Sequence, residues 1–289
     1  MVLIVSGCAS TLPYDPHLRV GERIDLGEIT SDELPEISGI VASRKHADLF
    51  WVHNDSGGGN RIYAIDQHAQ LRGTVLVPGC PTWDWEAIAT GPGPRADVSY
   101  IYIANTGDNL QLRKEVQVCR FPEPDVQTGV SEATDVEVLK MRYPDRPHDA
   151  EALFVDPSNG DLYLITKRDA QARVFRLQAA HIDTANVNTL EAVLSLPITG
   201  VCAADISSDR QVILVKTLGQ AYVWWLEDDE EDIVTTLQRL PTRTSYVREP
   251  QGEAIAWGAR REGYYTASEK VFGLPSHLYF YPIKRRAAP

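Results

Sequence analysis

The sequence predicts an all-β protein: a five-bladed β-propeller closed by an N-terminal strand, with six blades as the alternative. Three observations carry this reading. A short pattern, one acidic residue followed by small and aliphatic ones, recurs at Glu36, Glu86, Glu151, Asp205 and Glu253. Each copy leads into runs rich in β-branched and aromatic residues and bounded by Gly, Pro, Asn and Asp, the pattern of short strands joined by turns. The last unit lacks a fourth such run, while an orphan strand-like stretch lies near residues 19–26. Lending that stretch to the last unit closes a ring and removes a free sheet edge.

The elements follow in order. Second strands are expected from Leu49, Tyr100, Asp161, Gln211 and Gly263, and third strands from Arg61, Val116, Arg173, Ala221 and His277. Fourth strands are expected over 73–77, 136–143, 190–196 and 233–240, with residues 19–26 pairing against 277–281. Long helices are not expected; 178–188 has room for one short helical turn. The spacing of 65 residues between the second and third copies is generous, and it keeps six blades open.

Composition narrows the function. Lys plus Arg is 28 against 40 Asp plus Glu, a formal net charge of −12, and no basic patch stands out. Nucleic acid is therefore not an expected partner. No run of about 20 apolar residues is present. Val5-Ser6-Gly7-Cys8 resembles the lipobox of bacterial lipoproteins, followed by a polar stretch that reads as a tether. Residues 1–17 are thus expected to be a truncated lipoprotein signal and tether, with the start codon set upstream, and 18–289 a single propeller domain. The protein is then extracytoplasmic, at the bacterial cell envelope, and meets the membrane only through a lipid on Cys8. Of the other cysteines, Cys80, Cys119 and Cys202, none forms a CxxC. A Cys80–Cys119 disulfide is one reading; three separate buried thiols is the favoured one.

The segments Trp51-Val-His-Asn-Asp-Ser-Gly, Asp84-Trp-Glu-Ala-Ile-Ala, Asn105-Thr-Gly-Asp-Asn, His148-Asp-Ala-Glu-Ala-Leu, Asp161-Leu-Tyr-Leu-Ile-Thr-Lys and Gln251-Gly-Glu-Ala-Ile-Ala carry a resemblance. Together they look like a group of bacterial secreted propellers of largely unknown function. More distantly they are similar to esterase-like phytases and to quorum-regulated periplasmic propellers. Asp149-Ala-Glu-Ala-Leu lacks the doubled acidic segment ending in Asp-Pro-Ala that marks β-propeller phytases, so phytase activity is not implied.

Propeller geometry says where chemistry would sit. First-strand starts and second-strand ends open on one face, at the mouth of the central channel. That face would gather Glu36, Asp55, Glu86, Asp108, Glu151 and Glu253 as ligands for a divalent ion, most naturally Ca²⁺, which takes oxygen donors. Asp84, His148 and Asp149 stand just ahead of first strands. Asn54, Asn105, Asn109, Arg113, Lys167, Arg168, Lys216 and Glu269 would meet a small anionic or sugar ligand, or an envelope protein. A closed network of Lys and Arg with the carboxylates is the competing arrangement. His53, His148 and Lys167 are the candidates for acid–base work. No HExxH, GxSxG, Walker or post-strand GxGxxG motif is present. The expected function is a binding propeller with a ligand or ion at the channel mouth; the alternative is a metal-assisted phosphoesterase or carboxylesterase.

Overall fold

The computed structural model describes residues 12–16, 18–55, 58–271 and 273–284. Cys8 and its lipobox lie outside them. Within them the chain is a five-bladed propeller. Strand β1 (Ile24–Glu28) comes first, but it belongs to the last blade. Blade I is β2 (Ile37–Ala42), β3 (Leu49–Asn54), β4 (Arg61–Asp66) and β5 (Leu71–Leu76). Blade II is β6 (Ala87–Pro92), β7 (Ser99–Asn105), β8 (Val116–Pro122), then β9 (Val130–Glu132) and β10 (Glu137–Arg142). Blade III has β11 (Ala150–Val155), β12 (Leu162–Thr166), β13 (Arg173–Leu177), β14 (Asn188–Thr189) and β15 (Glu191–Ser195), with a 3-10 turn at Ala179–His181. Blade IV has β16 (Val201–Ile206), β17 (Val212–Thr217), β18 (Ala221–Trp225), helix α1 (Ile233–Gln238) and β19 (Thr242–Thr244). Blade V is β20 (Ala254–Trp257), β21 (Gly263–Ala267), β22 (His277–Pro282) and, on its outside, β1.

The closure is the one the sequence predicts. β1 pairs antiparallel with β22, Ile24 opposite Phe280 and Glu28 opposite His277. The innermost strands pack in sequence, β2 on β6, β6 on β11, β11 on β16, β16 on β20, and β20 back on β2. Five apolar clusters result, each shared by two neighbouring blades, so every blade is held by two cores. The inner strands are buried along their whole length, which explains their near-continuous apolar sequences rather than a simple alternation.

Outer edges are covered by segments borrowed from neighbours. β9 leaves blade II to run parallel to β5 of blade I, and β14 leaves blade III to run parallel to β10 of blade II. The β9 excursion accounts for the long second unit without a sixth blade. Residues 13–15, within the expected tether, lie on the edge of blade IV: Tyr14 bridges Arg243, and Asp15 Oδ2 accepts hydrogen bonds from Trp225 Nε1 at 3.0 Å and Thr242 Oγ1. Covering edges in this way removes unpaired backbone that would otherwise recruit other strands.

Two expectations are corrected. Residues 233–240 do not form the fourth strand of blade IV. Asp232 caps Thr235 N at 3.1 Å, and Ile233, Thr236 and Leu237 are buried at helical spacing, so the stretch is α1, packed on β15 of blade III. The fourth strand is β19, further on. The cysteines are likewise not three separate thiols. Cys80, in the link from blade I to blade II, is disulfide-bonded to Cys119 on β8 with Cα atoms 5.8 Å apart, leaving Cys202 as the buried free thiol.

Candidate functional site at the channel mouth

The site is set by an irregularity at the start of the inner strands. Pairing of β2 with β3, β11 with β12 and β16 with β17 shifts by one residue, leaving Ser38, Glu151 and Cys202 unpaired. In blades II and V the equivalent residues, Glu86 and Glu253, immediately precede the first paired residues, Ala87 and Ala254. Such bulges re-aim a side chain. The inner ring is therefore Ser38, Glu86, Glu151, Cys202 and Glu253. Glu36 lies two residues before the ring position and is exposed, and it is its backbone that bonds Asn54 and Asp55. Asp205 lies three residues past it, where its carboxylate accepts the backbone N–H of Ile206 and of Trp257, tying blade IV to blade V.

The mouth has two unlike sides. On one, Lys167 at the end of β12 reaches both Glu151 and Glu253, the latter at 3.1 Å. Lys167 is held above its usual pKa by these two carboxylates despite its burial. One ammonium cannot fully hold two carboxylates, and burial still raises Glu151 well above the carboxylate range. On the other side, Glu86 is 5% exposed. Among the described residues no cation and no hydrogen-bond donor meets its carboxylate. The charges that act on it most are Asp55, Asp84, Asp149 and Glu151; Arg113 also acts on it, without an ion pair. Burial, then those carboxylate charges, drive its pKa far upward.

These carboxylates form two overlapping groups, Asp55 with Asp84 and Glu86, and Glu86 with Asp149 and Glu151. Within each group the ligand oxygens lie within 4.8 Å of one another. Local structure builds them. Gly107 has no side chain because a Cβ there would lie 2.2 Å from Glu86 Oε1 and 2.3 Å from Asp84 Oδ2. Asn105 accepts Asp84 N–H at 2.9 Å, and Asp149 Oδ1 accepts Asp108 N–H at 2.8 Å. Asp108 is thus a support: its Oδ2 accepts the Arg113 N–H at 2.7 Å. Arg168 Nε lies 2.6 Å from Asp149 Oδ2. Glu269 stands beside Glu253, Asp55 and Glu36; burial and those charges push it up to about 7.

The remaining expected residues have these partners in the fold. Asn54 donates to the Glu33 carbonyl at 2.7 Å, and Asn105 donates to Gln117 Oε1 at 2.8 Å. Asn109 meets Arg168. Arg113 donates to the Gly107 and Asn105 carbonyls and lies over the exposed Trp83 ring at 5.4 Å. Lys216 is wholly buried, bonded to the Gly252 carbonyl, with Cys202 Sγ at 3.7 Å and the Tyr246 ring centroid at 4.6 Å. His53 is buried, donates from Nδ1 to the Asn54 carbonyl at 2.8 Å, and is lowered by burial to about 4, so it is neutral. His148 sits between Asp169 at 2.9 Å and Asp145 at 3.1 Å, packed against Tyr143 and Phe175. Asp84 and Asp149 are the ligand candidates that the repeat does not mark; their signal is only their place just ahead of the inner strands.

No family model matches this chain, and no curated protein matches it. Among solved structures the chain is similar to one described as a nidogen/laminin complex, at 10% identity, with a TM-score of 0.48, over 80% of this chain and 72% of the other.

Proposed function

We propose that the chain is a binding propeller whose channel mouth holds one Ca²⁺ ion, with ligands drawn from Asp55, Asp84, Glu86, Asp149 and Glu151. The observation that carries this is Glu86: a buried carboxylate that, among the described residues, has no ion-paired cation and no hydrogen-bond donor, and that faces other carboxylates. Burying such a group uncompensated costs several kcal/mol, and a divalent ion supplies the missing charge. The donors are all carboxylate oxygens, which suits Ca²⁺ rather than a soft metal. Positions left open on the ion would take a small anionic or sugar ligand beside Arg113 and Arg168. The Cys80–Cys119 disulfide supports an extracytoplasmic setting; anchoring through Cys8 belongs to the same reading. His53 and His148 are both held by other groups, which favours binding over hydrolysis.

The test is thermal unfolding with EGTA and with rising Ca²⁺. A ligand that binds only the folded state adds about 2.7 kcal/mol at a hundred times its Kd. The wild type should melt higher with Ca²⁺, and Glu86→Gln should lose that response while staying folded. An unchanged melting temperature over the whole Ca²⁺ range would sink the proposal.

A further inference from the structure

The channel has a second mouth, at the end opposite Glu86. Turns between the first and second strands of blades I to IV surround a cavity of about 440 Å³ there. Its surface is mostly apolar, from Gly91, Pro92, Val98 and Pro157; Arg44 reaches it from blade I, and Arg95 and Asp97 line it on the exposed turn of blade II. A space of this size fits a small organic molecule.

Arg44 is fixed for presentation. Its backbone N–H is taken by Glu123 at 3.1 Å, and its Nε donates to Thr90 Oγ1 at 3.0 Å. Glu123, buried, also accepts Ser43 Oγ and Trp51 Nε1. Its carboxylate is thus satisfied by neutral donors, and the guanidinium is not used on it. Asp205, the buried carboxylate whose charge Arg44 also feels, is bonded through both oxygens to backbone N–H groups. Among the described residues, neither terminal nitrogen of Arg44 has a hydrogen-bond partner, and no carboxylate lies within ion-pair distance of it. Arg95, at the rim, is by contrast committed to Tyr100 Oη at 3.0 Å and lies 3.6 Å from Asp135. With Nε committed to Thr90, the edge formed by the two terminal nitrogens is left free beside a mostly apolar wall, and that edge can receive a carboxylate in a bidentate pair.

We infer that this mouth is a second binding site, for a small organic anion: a carboxylate on an apolar body, paired with Arg44 through its terminal nitrogens. It is independent of the metal proposal and stands or falls separately, since no residue is shared.

The test uses anilinonaphthalene sulfonate as a fluorescent apolar anion on the intact chain, displaced by 4-phenylbutyrate or by 4-phenylbutanol. Saturable fluorescence should appear, and the acid should displace the dye at least tenfold better than the alcohol. Arg44→Met should weaken the dye at least tenfold, and Arg44→Lys less. Ala96→Trp, on an exposed turn lining the cavity, should block binding without touching Arg44 or the fold. No saturable fluorescence, equal displacement by acid and alcohol, or unchanged binding by Arg44→Met and Ala96→Trp would each overturn the inference.

Discussion

Glu86 and Glu253 begin the same tetrapeptide, Glu-Ala-Ile-Ala, at the same place in two blades, yet they have opposite surroundings. Glu253 lies 3.1 Å from Lys167. Among the described residues Glu86 has no ion-paired cation, and the charges that act on it most are carboxylates. The difference arises on neighbouring strands. In blade III the residue directly after the second strand is Lys167, which serves Glu151 in its own blade and Glu253 across the ring. Blade I places Asp55 at the matching position, where its N–H bonds the Glu36 carbonyl as Lys167 N–H bonds that of Asp149. A repeat fixes where a side chain stands in the ring; the residue facing it decides whether the side chain is neutralised or left for an ion.

The largest expected effect comes from breaking the neutralised side. Lys167→Met leaves Glu151 and Glu253 buried without their counter-charge. Removing one partner of a buried pair costs about 3–5 kcal/mol, which for a domain of this size lowers the melting temperature on the order of 10 °C. Urea unfolding and calorimetry would measure it. A loss below about 1 kcal/mol would mean that Lys167 behaves as an ordinary surface ion pair. The double variant Lys167→Met with Glu253→Gln should recover part of the loss, because the unpaired charge goes with it.

A smaller effect should follow from making the acidic side resemble the other. Asp55→Lys brings an ammonium toward Asp84 and Glu86. Without Ca²⁺ it should stabilise the fold by about 1 kcal/mol, since it removes one repulsive charge and adds an attractive one. With Ca²⁺ the shift in melting temperature should vanish. If Asp55→Lys still responds to Ca²⁺ as the wild type does, the ion is held without Asp55, and the Glu86, Asp149 and Glu151 group alone carries it.

Fold and site differ in how much of them the sequence shows. Blade number and closure are legible because they rest on patterns many residues long: the recurrent acidic motif, the strand runs and the orphan stretch that becomes β1. The helix α1 is misread because Ile233-Val-Thr-Thr-Leu has strand-like composition, and the cap at Asp232 and burial against blade III decide otherwise. The exact ring position is not legible. A bulge moves one residue and has no compositional mark, so Glu36 and Asp205 look equivalent to Glu86, while the true equivalents are Ser38 and Cys202. The disulfide joins an inter-blade link to a strand 39 residues away, a pairing that depends on the folded arrangement. Arg44 gives no sequence signal, because its significance lies in which partners it lacks.

The subtlest expected contrast is a pH dependence that should exist only while the acidic side is unneutralised. Glu86, Glu151 and Glu269 have folded-state pKa values raised above their unfolded values, the last to about 7. Around neutral pH the folded chain therefore binds more protons than the unfolded one, whose glutamates ionise near 4.5. Stability must then fall as pH rises through the folded values. The slope is at most about 1.4 kcal/mol per pH unit for each group differing by a whole proton, and less for Glu269, which water screens. Two buried groups act lower on the scale. His53, lowered to about 4, makes stability rise with pH until its unfolded value near 6.5, and Asp205, raised to about 6, makes it fall up to that point. The informative window is thus above about pH 7. In EGTA, urea unfolding should give lower stability at pH 8.5 than at pH 7. Saturating Ca²⁺ should flatten the slope, because ion-bound carboxylates are ionised in the folded state too and binding releases their protons. A flat profile in EGTA would mean that Glu86 is ionised without the ion, and that a protein cation reaches it in solution.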